Sequence, residues 1–176
     1  AEIPGGSTVE QTQPRLAETA KILWKTYLAL TLIEILALRF AGLSWFDSVC
    51  HTFSTVATGG FSPHNASISA FNNVYIESII ILFMFLGGIN FALHFQLVRR
   101  NFSVVFKNPE FRTYCILIFV GVLFATWGLI RFSETGDAGQ AFRSAAFTVV
   151  SINTTTGFVT DDFNLWPEYL KLFLVI

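Results

Sequence analysis

Apolar residues fall in long runs separated by short polar stretches, and run length is the first thing to read. Ile22–Leu38, Ser78–Val98 and Tyr114–Ile130 are each dominated by apolar residues. A helix needs roughly 20 residues to cross a hydrocarbon core about 30 Å thick, so these three predict spanning helices, and Leu170–Ile176 opens another apolar run. Two further segments are shorter. Ser44-Trp45-Phe46-Asp47 has the form of a capping box, in which a serine accepts an amide bond and the acid three residues on reaches back, and its helix is predicted to end near Thr55. Asp137-Ala138-Gly139-Gln140 starts a second such helix through about Val150. At the helical rise the first covers under about 20 Å, too little to cross. Both are predicted to be re-entrant half-helices. From Ala1 to about Glu18 the chain is polar, with Pro4-Gly5-Gly6 and Pro14 as breakers, and reads as a linker entering a helix near Arg15.

Each half-helix runs into a polar loop bearing glycine: Ser54-Thr55-Val56-Ala57-Thr58-Gly59-Gly60-Phe61-Ser62, and Ser151-Ile152-Asn153-Thr154-Thr155-Thr156-Gly157-Phe158-Val159. Irregular backbone at membrane depth is tolerated only where it is buried in protein or lines a wet cavity, because unpaired peptide groups in lipid cost several kcal/mol each. A pore supplies that reason. Threonines followed by glycine and an aromatic resemble the Thr-Val-Gly-Tyr-Gly filter of potassium channels, whose carbonyl oxygens replace an ion's water shell. The C-terminal end of a helix, carrying roughly half a negative charge, points at each loop and favours a cation there. Matching Gly60-Phe61 to Gly157-Phe158 gives an internal offset of 97 residues (157 − 60); matching Gly59 to Gly157 gives 98. Either way the order helix, half-helix, loop, helix occurs twice, a repeat of the size that defines an architecture. Gly157 is the only glycine of the second loop; in the first, Gly59 is expected to compensate partly for a change at Gly60.

Composition fits a bilayer: of 176 residues, 53% are hydrophobic, 13% are charged and 20 are phenylalanine. Soluble domains carry about 25% charged residues. With a net charge of −1 and no basic stripe, nucleic acid is excluded as a partner. Charge position is more informative. Arg99, Arg100, Lys107 and Arg112 crowd one short loop, while His64, Glu134, Asp137, Asp161 and Asp162 lie on the opposite ones. The positive-inside rule makes the basic loop cytoplasmic and turns both glycine loops outward. Glu34 is costly in lipid and is expected to face protein as a structural anchor, hydrogen-bonded to a neighbouring pore loop. Gly87 and Gly88 lie near the middle of the 78–98 helix, where missing side chains let a neighbour approach closely or let the helix bend, and Gly87, Asn90 and His94 recur on one helical face predicted to look inward. Cys50 and Cys115 lack metal or disulfide spacing and read as packing residues. His51, Ser54 and His64 lie near the loops, but without a Gly-x-Ser-x-Gly elbow or paired aspartates they make no protease, and the chain is not expected to be an enzyme.

The loops and linkers together resemble the Trk/Ktr/HKT superfamily of potassium transporters, and within it the bacterial TrkH-type subunits. Phe53–Ser62 is similar to that family's second filter, and Asn153–Phe158 with Asp162-Phe163-Asn164-Leu165-Trp166-Pro167 to its third; the stretches Ala1–Gly5 and Arg99–Arg112 are similar to its connecting loops. The resemblance covers essentially the whole chain. It implies an all-α membrane protein of potassium-channel-like repeats (outer helix, pore half-helix with filter loop, inner helix), four to a polypeptide. It further implies a homodimer in the bacterial inner membrane, with a cytoplasmic nucleotide-binding ring as regulator. On that frame residues 1–20 are a cytoplasmic linker, 21–98 a complete repeat, 99–112 a basic loop, and 113–176 a second repeat cut off inside its inner helix, the rest of the polypeptide supplying the missing repeats. Potassium is the implied cargo, with no other cofactor, and the implied ion-binding residues are Ala57, Thr58, Gly59 and Gly60 in one loop and Thr155, Thr156 and Gly157 in the other. The alternative is a pore-like scaffold or assembly subunit that conducts nothing.

Overall fold

The computed structural model describes residues 7–98, 100–132 and 137–175. Residues 1–6 of the expected linker, Arg99 of the basic loop and Glu134 lie outside the described residues. Within them all regular structure is helical: α1 (Ser7–Phe40), α2 (Trp45–Val56), α3 (Val74–Gly87), α4 (Phe91–Val98), α5 (Phe102–Lys107), α6 (Pro109–Phe132), α7 (Ala138–Asn153) and α8 (Glu168–Val175), with 3-10 turns at Ser67–Phe71 and Phe163–Leu165.

Helix α1 starts at Ser7, well before the expected entry near Arg15, and carries Pro14 inside it. Glu10, Gln11 and Gln13 are good helix formers, so the polar stretch extends the helix at the loss of the one backbone bond that a proline cannot donate. Ser44 caps α2 as expected: its hydroxyl accepts from the Asp47 amide at 3.0 Å and donates to the Asp47 carboxylate at 2.7 Å. At 12 residues α2 has the predicted length, whereas α7, capped by Asp137, runs to Asn153 rather than stopping near Val150.

The segment 78–98 is not one helix. It divides at Gly88–Asn90 into α3 and α4. The break leaves peptide groups that need partners, and side chains supply them. Tyr114 on α6 donates its hydroxyl to the Phe85 carbonyl at 2.9 Å, the His94 ring donates Nε2–H to the Leu86 carbonyl at 2.9 Å, and the Asn90 side chain accepts the Ala92 amide at 3.0 Å. Gly88 lies against Tyr114 so closely that an added Cβ would sit 2.5 Å from the hydroxyl. Gly87 and His94 do face protein, but Asn90 is exposed and bonds Glu110 at 3.3 Å, so the expected three-residue face is interrupted by the break.

Among the described residues one helix, Pro109–Arg131, is long and apolar enough to cross a membrane on its own; α3 is apolar but shorter. Helix α1 packs along α2, α3 and α4; α6 packs on α7; and α3 crosses from α2 to α7, tying the two halves together. Leu38, Ile76, Ile80, Met84, Val122, Ala125, Phe147 and Leu170 belong to the core between them. The outward faces of α1 and α6 remain apolar, with Trp24, Ile33, Phe40, Phe119 and Trp127 all more than half exposed. In water this would be an aggregating surface; against hydrocarbon it is the solvated one.

Candidate functional site

The two glycine loops share one backbone frame. At the end of α2 the amides of Ala57, Thr58 and Gly59 donate to Phe53, Thr55 and Ser54 at 3.1, 3.0 and 2.7 Å; at the end of α7 those of Thr154, Thr155 and Thr156 donate to Val150, Ile152 and Ser151 at 2.9, 2.9 and 2.8 Å. Each donor and acceptor is 97 residues from its counterpart. The dihedral angles repeat at the same interval: Ala57 and Thr154 have φ −83° and −85°, both with ψ 0°. Thr58 and Thr155 have φ +50° and +59°, and Gly60 and Gly157 have φ +67° and +86°. The offset is therefore 97, and Gly59 corresponds to Thr156. Gly59 does not adopt the left-handed conformation that Gly60 does.

A left-handed threonine costs roughly 1 to 2 kcal/mol, and it occurs here at matching positions of both loops. Placed between right-handed or extended neighbours, such residues reverse the sense of the chain every second peptide, which is how an irregular strand turns successive carbonyls toward one side. The sequence names Thr58 and Thr155 as ion-binding residues and leaves the permissive backbone to glycine; that the two threonines are themselves left-handed is not signalled by composition.

The loops also touch. A Cβ built on Gly60 would lie 2.0 Å from the Thr156 carbonyl oxygen and 3.1 Å from the carbonyl carbon of Gly157, whereas one on Gly157 meets nothing within 4 Å. Of the predicted ion-binding residues, Ala57, Gly59, Thr155 and Gly157 are exposed, Thr58 and Gly60 are half-buried, and Thr156 is buried. The Thr156 hydroxyl is turned inward to that of Thr154, 2.8 Å away. Ser151 fastens the second loop by donating to the Phe158 carbonyl at 2.8 Å, and the Phe158 ring is buried. In the first loop the counterpart Ser54 Oγ has no partner, and Phe61 is 81% exposed. Beyond the loops the chains are stitched again: the Ile68 and Ser69 amides donate to the Val159 carbonyl at 3.1 and 3.3 Å.

Neither histidine near the first loop meets Ser54. His51 donates Nδ1–H to the Asp47 carbonyl at 2.7 Å and, in that tautomer, accepts the Ser62 hydroxyl at Nε2, 3.0 Å away; His64 pairs with the Asp47 carboxylate at 2.9 Å. The Ser44 hydroxyl, with His64 assisting, holds the Asp47 carboxyl below the usual aspartate range. Glu34 faces protein as expected and is 0% exposed. Cys50 and Cys115 are free thiols, each half-buried.

The family described as "TrkH: Cation transport protein" matches residues 6–176. The chain belongs to this family. The Trk system potassium uptake protein TrkH of Escherichia coli (strain K12) is 42% identical over 99% of the chain and 36% of its own length, and TrkG of the same strain is 34% identical over 100% and 36%. The crystal structure of the potassium transporter TrkH from Vibrio parahaemolyticus superposes with a TM-score of 0.87 at 38% identity, over 92% of this chain and 35% of that one. The chain thus spans about a third of the length of the relatives it matches, which are transporters by name.

Proposed function

We propose that the chain contributes two of the filter loops of a potassium-selective pore in the bacterial inner membrane, completed by further repeats of a longer polypeptide. One observation carries the reading: two loops 97 residues apart hold the same left-handed pair, Thr58 with Gly60 and Thr155 with Gly157, and abut at Gly60 and the Thr156 carbonyl. In this reading backbone oxygens of Ala57, Thr58, Gly59 and Gly60 and of Thr155, Thr156 and Gly157 face one axis, where they replace the water of a partly dehydrated ion. In this reading the negative ends of α2 and α7, each of which runs into its loop, favour a cation there. Support also comes from relatives named for potassium uptake, each about three times as long as this chain.

In this reading the loops face outward and the basic loop around Arg100, Lys107 and Arg112 is cytoplasmic. There it lies on the side of a nucleotide-binding regulatory ring, and two such polypeptides form the dimer. Flux in proteoliposomes tests the proposal. The full-length polypeptide is expected to move potassium well ahead of sodium, and residues 1–176 alone to move neither selectively. A full-length protein that assembles but passes no potassium would make these loops a scaffold instead.

A further inference from the structure

We infer that Gly88 and Tyr114 are positioning residues for the second loop, which is seated through Thr154 on the break between α3 and α4. This rests on the pore reading above. Two consecutive glycines stand at the end of α3, and between them they meet both loops. A Cβ on Gly87 would lie 3.5 Å from the Thr55 and Val56 carbonyl oxygens and 3.7 Å from Thr58 Cγ2, an ordinary contact with the first loop. On Gly88 it would lie 2.9 Å from Thr154 Cγ2 and 2.5 Å from the Tyr114 hydroxyl, closer than packed atoms come. Gly88 has φ −76° and ψ −10°, which any residue adopts, so glycine is needed there for its missing side chain and not for its backbone.

Tyr114 keeps that backbone in place. The Ile89 amide donates to the Leu86 carbonyl at 3.2 Å, so the Phe85 carbonyl loses its helical donor and the Tyr114 hydroxyl fills it at 2.9 Å. The Tyr114 ring also packs on that of Phe85, with centroids 5.2 Å apart. The Met84 carbonyl accepts the Gly88 amide at 3.0 Å, and that of Leu86 accepts His94, which leaves the end of α3 little freedom to retreat from the loop. On the loop side Thr154 is buried; its hydroxyl donates to the Val150 carbonyl at 2.8 Å and accepts the Thr156 hydroxyl at 2.8 Å. Thr156 in turn supplies the carbonyl that abuts Gly60. A run of direct contacts therefore leads from Tyr114 through Gly88, Thr154 and Thr156 to the place where the two loops meet. The first loop holds the same dihedral frame with Ala57 where Thr154 stands, so this support does not shape the frame. What it sets is how the second loop sits against Gly60.

The test uses the full-length polypeptide in proteoliposomes, with potassium and sodium uptake compared for Gly88→Ala, Thr154→Ser, Tyr114→Phe and the double variant Gly88→Ala/Thr154→Ser. The ratio of the two uptakes is the readout, because a merely structural role would change the amount of assembled protein and leave the ratio alone. Gly88→Ala is expected to assemble and to lose about tenfold in potassium-over-sodium preference, the size of an inserted methyl's strain when it reaches ion binding. Thr154→Ser, which keeps the hydroxyl and removes the methyl facing Gly88, and Tyr114→Phe, which removes the bond to Phe85, should each lose about threefold. The double variant moves a methyl from one side of the seam to the other, so the new Cβ takes the space of Thr154 Cγ2 and most of the preference should return. Wild-type preference in an assembled Gly88→Ala protein, or a double variant no better than Gly88→Ala alone, would overturn the inference. Should Gly88→Ala fail to assemble, Thr154→Ser and Tyr114→Phe carry the test, since neither adds an atom: unchanged preference in either overturns the inference equally. A wild type that moves no potassium overturns the pore reading, and this inference with it, before any variant is read.

Discussion

The two halves of the chain build nearly the same loop on different supports. Around α7 the support is closed and carries no buried carboxyl: Phe147, Val149, Val150 and Phe158 are buried in the core beside the hydroxyls of Ser144 and Thr148, and Ser151 locks the loop to itself. Around α2 it is more polar and open, with hydroxyls and a carboxyl along the seam, Phe61 exposed, and a cluster of His51, His64 and Phe71 beside the helix. Identical backbone frames on unlike supports show that the frame is set locally, by the last turn of each helix and a left-handed pair. The supports set how far each loop tolerates change.

Replacing the two left-handed glycines separates these contributions most sharply. Both replacements strain φ, by roughly 1 to 2 kcal/mol for an L-residue. Only Gly60 also has a backbone atom in the way, the Thr156 oxygen 2.0 Å from its Cβ position. Since that oxygen cannot rotate aside, Gly60→Ala is expected to displace the second loop as well as the first and to abolish selective potassium uptake. Gly157→Ala meets open space and should cost about tenfold in potassium-over-sodium preference, the strain alone. Equal effects at the two positions, measured as uptake ratios in the full-length protein, would mean that the loops do not touch in the working state.

Next in size is the joint between the halves. Arg143 on α7 pairs with Glu77 on α3 at 2.9 Å, and the Glu77 side chain is only 7% exposed. Removing the cation leaves a buried carboxylate uncompensated, so Arg143→Met should destabilise the protein by about 3 kcal/mol. The double variant Glu77→Leu/Arg143→Met should recover most of this, because a dry joint of similar volume costs nothing in desolvation. Thermal unfolding in detergent measures both, and a double variant no more stable than the single one would show that the pair does more than hold α3 to α7.

How much of this was readable from the chain depends on how local the cause is. The cap at Ser44, the length of α2 and the burial of Glu34 follow from residues within a few positions of one another. The start of α1 at Ser7 was hidden behind Pro14, whose effect as a breaker was overweighted against the helix formers before it. A bend near Gly87 and Gly88 was readable from their missing side chains, but its opening into a full break at Gly88–Asn90 was not, because Tyr114, which is remote in sequence, holds it open. The offset of 97 was ambiguous for a similar reason: Gly59 and Gly60 are equivalent as letters and differ only in φ. That Gly60 is the more constrained glycine follows from a contact across 96 residues (156 − 60), and no local pattern carries it.

The smallest effect distinguishes the two helix starts. Asp137 caps α7 with its side chain alone, accepting from Gly139 at 2.9 Å, whereas Asp47 is itself bonded by Ser44 and paired with His64. The Ser44 hydroxyl is the main cause that lowers the Asp47 pKa in the folded protein. A carboxyl whose folded pKa is depressed contributes stability that is complete above the unfolded value, about 3.9, and is lost as pH falls through the folded value. Asp47 therefore stabilises the first half at neutral pH and stops doing so below about pH 4, by no more than an exposed ion pair is worth. Asp47→Asn removes that dependence while leaving an acceptor at the helix start. Melting temperatures at about pH 6 and about pH 3.5 should fall less for Asp47→Asn than for the wild type. Parallel falls would show that Ser44 and His64 hold Asp47 no more tightly in the folded protein than water does in the unfolded chain.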